Sequence, residues 1–319
     1  MNIALIGYGN VGKAFAHLLE KKRGVFPFRI VAIQTARHGV AFDIKGLPIE
    51  PQFGPSPSID DFLDHCHAEV VMELTTLDPS TGEPATTHIR KAFERGLHVV
   101  TANKGPIAHA YAGLLEESNR AGVMFRFEAT CMDGAPVFNM VRNTLPGVKI
   151  LGFTGVLNST TKVVVAAMRR GLTMEDGIAE ARKMGIAEAD ASYDIDGWDS
   201  AAKTAALANV LMDARVTPMQ VDRRGIGRLT PARVEEIAAK RKTICLVSRA
   251  TQTAAGLKLR VRAEVIDDTD LLATMHGTSN ILLLHTDLMG TVGTVSISPT
   301  VDQTAYGVFS DLVEIARSL

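Results

Sequence analysis

The chain has 319 residues, 46% of them hydrophobic, and a formal net charge of −1. With a pI near 6.8 it lacks the basic footprint of a nucleic-acid or anionic-membrane binder, and no apolar run is long enough to span a bilayer. The length suits two domains, and three widely spaced cysteines (Cys66, Cys131, Cys245) read as free thiols of a reducing cytoplasm.

Met1 leads straight into a short apolar strand, Asn2 to Ile6, rather than into a signal peptide. The strand runs into Gly7-Tyr8-Gly9-Asn10-Val11-Gly12 and then into the helical pattern Lys13 to Glu20. Strand, glycine turn and helix are the context a dinucleotide fingerprint requires. Gly7 permits the turn, Gly9 lets the backbone approach a pyrophosphate, Gly12 lets the helix pack, and the helix N-terminus faces the phosphates. A second strand, Arg29 to Ile33, is followed by Gln34-Thr35-Ala36-Arg37-His38 without the acid that usually binds the ribose of NAD. Arg37, aided by Thr35 and His38, instead suits the 2′-phosphate of NADP, with NAD the alternative.

Strand and helix signals then alternate to about residue 130, as in a parallel sheet built from βαβ units. His65-Cys66-His67 lies in a charged helical stretch and reads as surface rather than as a metal site. Strands are expected at Glu69 to Leu74, His98 to Thr101 and Met124 to Glu128, with a helix over Thr86 to Arg95 ended by Gly96. Ligands of such sheets gather at the carboxyl ends of the strands, which places Thr75, Asn103, Lys104 and Glu128 there.

Beyond Val148 the pattern changes. Lys149 to Leu157 reads as a strand, Thr173 as the N-cap of a helix to Met184, and Ala201 to Met212 and Pro231 to Ala239 as helices. Leu257 to Val265 alternates with period two, as an antiparallel strand with one solvated face does. That strand and the apolar run Ile281 to Leu284 suit a sheet shared across a two-fold axis or buried within one chain. The last segment, Thr304 to Leu319, is helical. Between the helices, Gly185 to Lys203 gathers five carboxylates (Glu188, Asp190, Asp194, Asp196, Asp199) and places Lys203 four residues after Asp199. A helix starting near Trp198 sets that pair on one face, one turn apart. Taken alone the spacing fits a surface ion pair; beside a dinucleotide site it suits holding an amino group and moving a proton at a neighbouring hydroxyl.

Nearly end to end, these residues resemble the homoserine dehydrogenases of the short type, which lack a C-terminal regulatory domain. The resemblance rests on Gly7 to Gly12, Val100-Thr101-Ala102-Asn103-Lys104, Phe127-Glu128-Ala129-Thr130 with Gly134 and Pro136, and Gly155 to Thr161. It continues through Gly185 to Lys203, the most specific stretch, then Met275 to Asn280 and Gln303-Thr304-Ala305-Tyr306-Gly307. It implies an α/β protein: an N-terminal Rossmann dinucleotide-binding domain over 1–135, onto which a helix of about 301–319 packs back. An α+β catalytic and dimerisation domain with a mixed sheet would cover 136–300. It implies reversible hydride transfer between homoserine and aspartate semialdehyde, with NADP or NAD, in a cytoplasmic homodimer. Lys203 would move the hydroxyl proton, with Lys104 sharing that work or steadying developing negative charge. Because a lysine is a poor base at its usual pKa of about 10.4, burial or a second cation, here Lys104, has to lower it. Glu188 and Asp199 would hold the substrate amino group, with Asp194 in support, and Ser159, Thr160 and nearby backbone groups its carboxylate. Thr75, Lys104, Gly185 and Gly307 would touch the cofactor. Glu128 with the carbonyls of Cys131, Asp133 and Ala135 would hold a monovalent cation, Na or K.

The chain departs from the family's usual pattern at Cys131-Met132-Asp133, Ser159, Lys162, Ile186 and Ala191. These departures mark either a divergent branch or a relative acting on another small polar alcohol or amino acid. Asp133 stands out, because it adds negative charge beside the expected pocket.

Overall fold

A computed structural model describes residues 1–187 and 190–319. The chain divides into two compact units, one of Met1–Asn139 with Thr300–Leu319 and the other of Met140–Pro299.

In chain order the first unit contains β1 (Asn2–Ile6), α1 (Asn10–Lys22), β2 (Arg29–Thr35), β3 (Gly39–Phe42), α2 (Ile59–His65) and β4 (Val70–Glu73). It continues with α3 (Ala85–Glu94), β5 (His98–Thr101), α4 (Lys104–Ala121) and β6 (Phe125–Arg126), and α5 (Phe138–Thr144) starts at its boundary. The six strands lie in the order β3-β2-β1-β4-β5-β6, parallel except for β3, which pairs antiparallel with β2. The order reverses between β1 and β4, the switch point at which doubly wound sheets bind ligands. Helix α1 buries Gly12, Phe15, Ala16 and Leu19, the i, i+3, i+4, i+7 stripe of a helix laid on a sheet.

Two expectations are corrected here. Residues Met124 to Glu128 form only the two-residue strand β6, with Glu128–Thr130 a 3₁₀ turn. The Phe127 ring packs edge-on against Tyr111, Phe125 and Phe138, so the apolar alternation serves an aromatic cluster rather than a ladder. Cys66, expected at the surface, is buried, while His65 and His67 are exposed.

The second unit holds β7 (Ile150–Val156), α6 (Ser159–Arg169), α7 (Met174–Lys183), α8 (Ser192–Ile195), α9 (Trp198–Met212), β8 (Asp222–Arg224) and α10 (Pro231–Ala238). Then come β9 (Lys242–Thr253), β10 (Gly256–Asp267), β11 (Asn280–Thr286) and β12 (Thr291–Ser296), and α11 (Val301–Ser318) rejoins the first unit. Its sheet runs β12-β11-β7-β9-β10-β8, antiparallel throughout except for the parallel pair of β8 and β10. Helix α9 buries Ala201, Ala202, Ala205, Ala206 and Ala208, small side chains that let it sit close on β7, β9 and β10. Thr173 caps α7 in a reciprocal box with Asp176, as its place before the helix predicts. No described helix is long and apolar enough to cross a membrane.

Candidate active site

The glycine loop is shaped for a phosphate. Gly7 holds φ +100°, and a Cβ there would lie 2.6 Å from the Leu74 carbonyl oxygen, so β1 and β4 close together only around glycine. A Cβ on Gly12 would meet the Tyr8 ring at 3.1 Å, whereas one on Gly9 would meet nothing within 4 Å. Gly9 therefore borders open space at the start of α1, and that end carries neither a side-chain cap nor an acidic residue in its first turn, where Asn10 and Val11 sit. An uncapped helix N-terminus under an open glycine is the cradle a pyrophosphate fits. Tyr8 contributes no open hydroxyl: its side chain is buried, its Oη donates to the Ile49 carbonyl at 2.6 Å, and burial, helped by the Glu50 charge, pushes its pKa up to about 12.

Beside this loop, β2 ends at Thr35, and Ala36, Arg37 and His38 make an exposed turn into β3. No carboxylate stands there. Thr35, expected to aid Arg37, is buried and accepts the His38 N–H at 2.8 Å, so it holds the turn instead. His38 tilts over Phe53 with ring centroids 5.9 Å apart.

At the ends of β4 and β5 lies a buried cluster with Glu73 at its centre, its side chain fully excluded from solvent. Glu73 Oε1 accepts the Thr75 N–H at 3.2 Å and also the Thr75 hydroxyl, and Oε2 accepts the Thr101 hydroxyl at 3.2 Å. Thr101 Oγ1 accepts the Asn103 N–H at 3.0 Å. Asn103 Nδ2 reaches the Thr75 carbonyl at 3.3 Å, and its Oδ1 caps α4 through the Gly105 N–H at 3.0 Å. Lys104 is thus the first residue of a capped helix at the mouth of the switch point. Sequence reasoning placed Thr75 and Lys104 here and passed over Glu73; a lone carboxylate inside the apolar run Val70 to Leu74 was the available signal.

Glu128 is spoken for differently than expected. Its carboxylate accepts the N–H groups of Val137 (2.6 Å), Phe138 (2.9 Å) and Asn139 (2.6 Å) at the start of α5, and its own N–H donates to Asp311 at 2.7 Å. It therefore fixes a helix N-terminus. Cys131, Asp133 and Ala135 belong to the adjoining turn, with Asp133 at φ 52° and Gly134 at φ 86°. Gly307 on α11 packs on that turn: a Cβ there would lie 2.5 Å from Gly134 Cα. Gly185, by contrast, ends α7 with φ 70° and borders open space. Among the described residues no group of three or more His, Cys, Asp or Glu is arranged to hold a metal ion.

The second unit holds a second buried polar cluster. Asn158 closes β7 and caps α6 by accepting the Thr161 N–H at 2.9 Å. Its Nδ2 donates to two carboxylates, Asp194 at 2.6 Å and Asp199 at 3.0 Å. Lys203 Nζ lies 3.0 Å from Asp199 Oδ2 and donates to the Leu157 carbonyl at 2.7 Å. The Asp199–Lys203 pair is therefore real, one turn apart on α9, and largely buried, with side chains 11% and 16% exposed. Burial pushes the Asp194 carboxyl above its ordinary range and the neighbouring Asp199 charge adds to this, against the opposing hydrogen bonds of Thr160 and Asn158. Ser159 is half-buried at the first turn of α6. Thr160, expected at the substrate carboxylate, instead donates its hydroxyl to Asp194 at 2.7 Å. Glu188 lies outside the described residues. Asn158, which sequence reasoning left without a role, is the residue that joins the cluster.

Fold and sites together fit a nicotinamide-dinucleotide oxidoreductase with a buried lysine and carboxylate cluster in its second unit. Residues 7–128 match the model of the homoserine dehydrogenase NAD-binding domain, and residues 136–313 that of homoserine dehydrogenase. A homoserine dehydrogenase of Methanocaldococcus jannaschii is 35% identical over 100% of this chain and 99% of its own. An NAD(+)-dependent homoserine dehydrogenase of Pseudomonas canavaninivorans is 32% identical, covering 99% of this chain and 96% of its own. The crystal structure of a homoserine dehydrogenase from Thiobacillus denitrificans superposes with a TM-score of 0.86 at 27% identity, over 99% of this chain and 73% of that one. The chain belongs to the homoserine dehydrogenase family, oxidoreductases that act on a CH–OH group with NAD(P).

Proposed function

We propose that this chain interconverts L-homoserine and L-aspartate 4-semialdehyde, with NADP as the preferred cofactor, as a cytoplasmic homodimer serving threonine, methionine and isoleucine synthesis. The observation that carries the reading is Asn158 tying Asp194 and Asp199 together next to Lys203.

The substrate ammonium is given to Glu188 and Asp199, with Asp194 in support, because closely held carboxylates are relieved by a cation. The first turn of α6, at Ser159, receives the substrate carboxylate through its backbone N–H groups; Thr160 serves by holding Asp194. When bound, the nicotinamide supplies the acceptor that takes the hydride from the alcohol carbon. Lys203 takes the hydroxyl proton in that direction and returns it to the aldehyde oxygen in the other. Lys104 is assigned the developing negative charge on the same oxygen. In the cofactor site the loop Gly7 to Gly12 takes the pyrophosphate, Thr75 and Lys104 serve the nicotinamide half, and Gly185 and Gly307 are carried as backbone contacts only. Arg37, on a turn that offers no acid to a ribose hydroxyl, is assigned the 2′-phosphate. The carbonyls of Cys131, Asp133 and Ala135 are hard oxygen donors of the kind Na or K takes, with Glu128 holding their loop. Three free cysteines, all buried, suit a reducing compartment.

Initial rates of NADP and NAD reduction with L-homoserine test this. Wild type turns over, and Lys203→Ala loses at least about two orders of magnitude in kcat with cofactor affinity retained. Arg37→Ala lowers kcat/KM for NADP about tenfold or more and leaves NAD nearly unchanged. No turnover in wild type that binds cofactor would defeat the substrate assignment. A light-scattering mass of 34.3 kDa, rather than twice that, would defeat the dimer.

A further inference from the structure

Glu73 has no part in the reaction described above, yet it is a carboxylate with no solvent exposure at the carboxyl end of the central strand β4. A buried charge persists only where donors satisfy it. Both of its oxygens are acceptors. Oε1 receives the Thr75 backbone N–H, and the hydroxyl of Thr101, whose own oxygen takes the Asn103 N–H, is directed at the Glu73 carbonyl (3.0 Å) and at Oε2 (3.2 Å). The Thr75 hydroxyl also meets Oε1 and gives its proton to it. His88 Nδ1 stands 3.6 Å from the same oxygen.

A hydroxyl whose proton is committed in this way can offer an incoming ligand only its lone pairs. We propose that Glu73 is a positioning residue that makes Thr75 Oγ1 an obligate hydrogen-bond acceptor, so that the crevice selects a ligand group bearing a hydrogen-bond donor. The sheet order places such a group. The adenosine half of a dinucleotide lies toward β2, and the nicotinamide half lies across the switch point toward β4 and β5. On the nicotinamide ring itself the only donors are the N–H groups of the carboxamide. The same carboxylate ties β4 to β5 through Thr101, and Thr101 and Thr75 both fix Asn103, so one buried charge orders Thr75 and the start of the helix that carries Lys104. The inference rests on the proposed nicotinamide site and says which feature of that ring the protein reads.

The test is the dissociation constant, by fluorescence titration, of reduced NADP and of its analogue with an acetyl group in place of the carboxamide. The analogue keeps the carbonyl and has no N–H donor. Wild type should prefer the parent about tenfold, the worth of one neutral hydrogen bond. Thr75→Val, which keeps the shape, should lose that preference. Glu73→Gln, whose amide can donate to Thr75 and reverse its hydroxyl, should bring it below about threefold while the analogue binds nearly as to wild type. A wild-type preference retained in either variant would overturn the proposal, as would equal weakening of both ligands by Glu73→Gln, the mark of a structural role. Should Glu73→Gln not fold, the Thr75→Val ratio decides alone. Wild type that turns over homoserine but does not distinguish the two ligands sinks this inference and leaves the proposed function standing. Wild type that binds neither ligand sinks both.

Discussion

Asp194 and Asp199 share one amide, that of Asn158, and burial together with the Asp199 charge holds the Asp194 carboxyl above its ordinary value of 3.8. In the unfolded chain the group ionises near that ordinary value; in the folded chain it keeps its proton to a higher pH. The folded state thus binds more protons between the two values, and its stability falls as pH rises through that window, then stays lowered above it. Asp194→Asn should remove the loss. Calorimetric Tm followed from about pH 4 to 8 should fall less in the variant than in wild type, with the variant the more stable at pH 7. Its kcat/KM for homoserine should drop by about two orders of magnitude. A variant less stable than wild type at pH 7 would refute this account. How much of the site was legible also turns on single residues. The Asp199–Lys203 pair follows from helical period alone. Asn158 reaches Asp199 across 41 positions of chain, a closure that only tertiary packing creates. Tyr8, Thr35 and Thr160 had the right neighbourhood, but their hydroxyl partners, the Ile49 carbonyl, the His38 N–H and Asp194, come from distances and turns that spacing does not encode.

Helix α6 shows the same division of labour at the level of an element. Asn158 caps it and bridges the carboxylates, and the two tasks can be separated. Asn158→Ser keeps a capping oxygen and loses the amide N–H₂ that both carboxylates share, so the helix cap should be retained while KM for homoserine rises at least about tenfold. Asn158→Ala loses the cap as well, costing about 1 kcal/mol more. Denaturant midpoints and KM measured together distinguish these outcomes; equal stability loss in both variants would mean that the cap is immaterial. Helix α1 was legible because its burial repeats at helical period, and β10 because Leu259 and Val261 are buried between exposed or half-buried Lys258, Arg260 and Arg262. The hairpin β2–β3 was not, since β3 is a four-residue edge strand with too few residues to display a period. Residues Phe125 and Phe127 alternate as a strand would, yet the second ring is used to pack against Phe138.

At the scale of the molecule, the first unit is discontinuous in sequence. Helix α11 buries Ala305, Val308, Phe309, Leu312 and Ile315 in one cluster with Ile3, Leu5, Phe15 and Val100, and Asp311 accepts the Glu128 N–H at 2.7 Å. Deleting residues 300–319 should uncover that cluster and leave an aggregating protein without cofactor affinity, measurable by gel filtration and by fluorescence titration. Retention of affinity would show the helix to be dispensable. There is a consequence for how the protein is made. A ribosome releases residues 1–139 first, but they cannot complete their core until the intervening 160 residues of Met140–Pro299 have followed. The usual vectorial order, amino-terminal domain first, is therefore broken. A nascent chain stalled anywhere before residue 300 presents an unclosed apolar surface to chaperones and proteases until its closing helix has been translated.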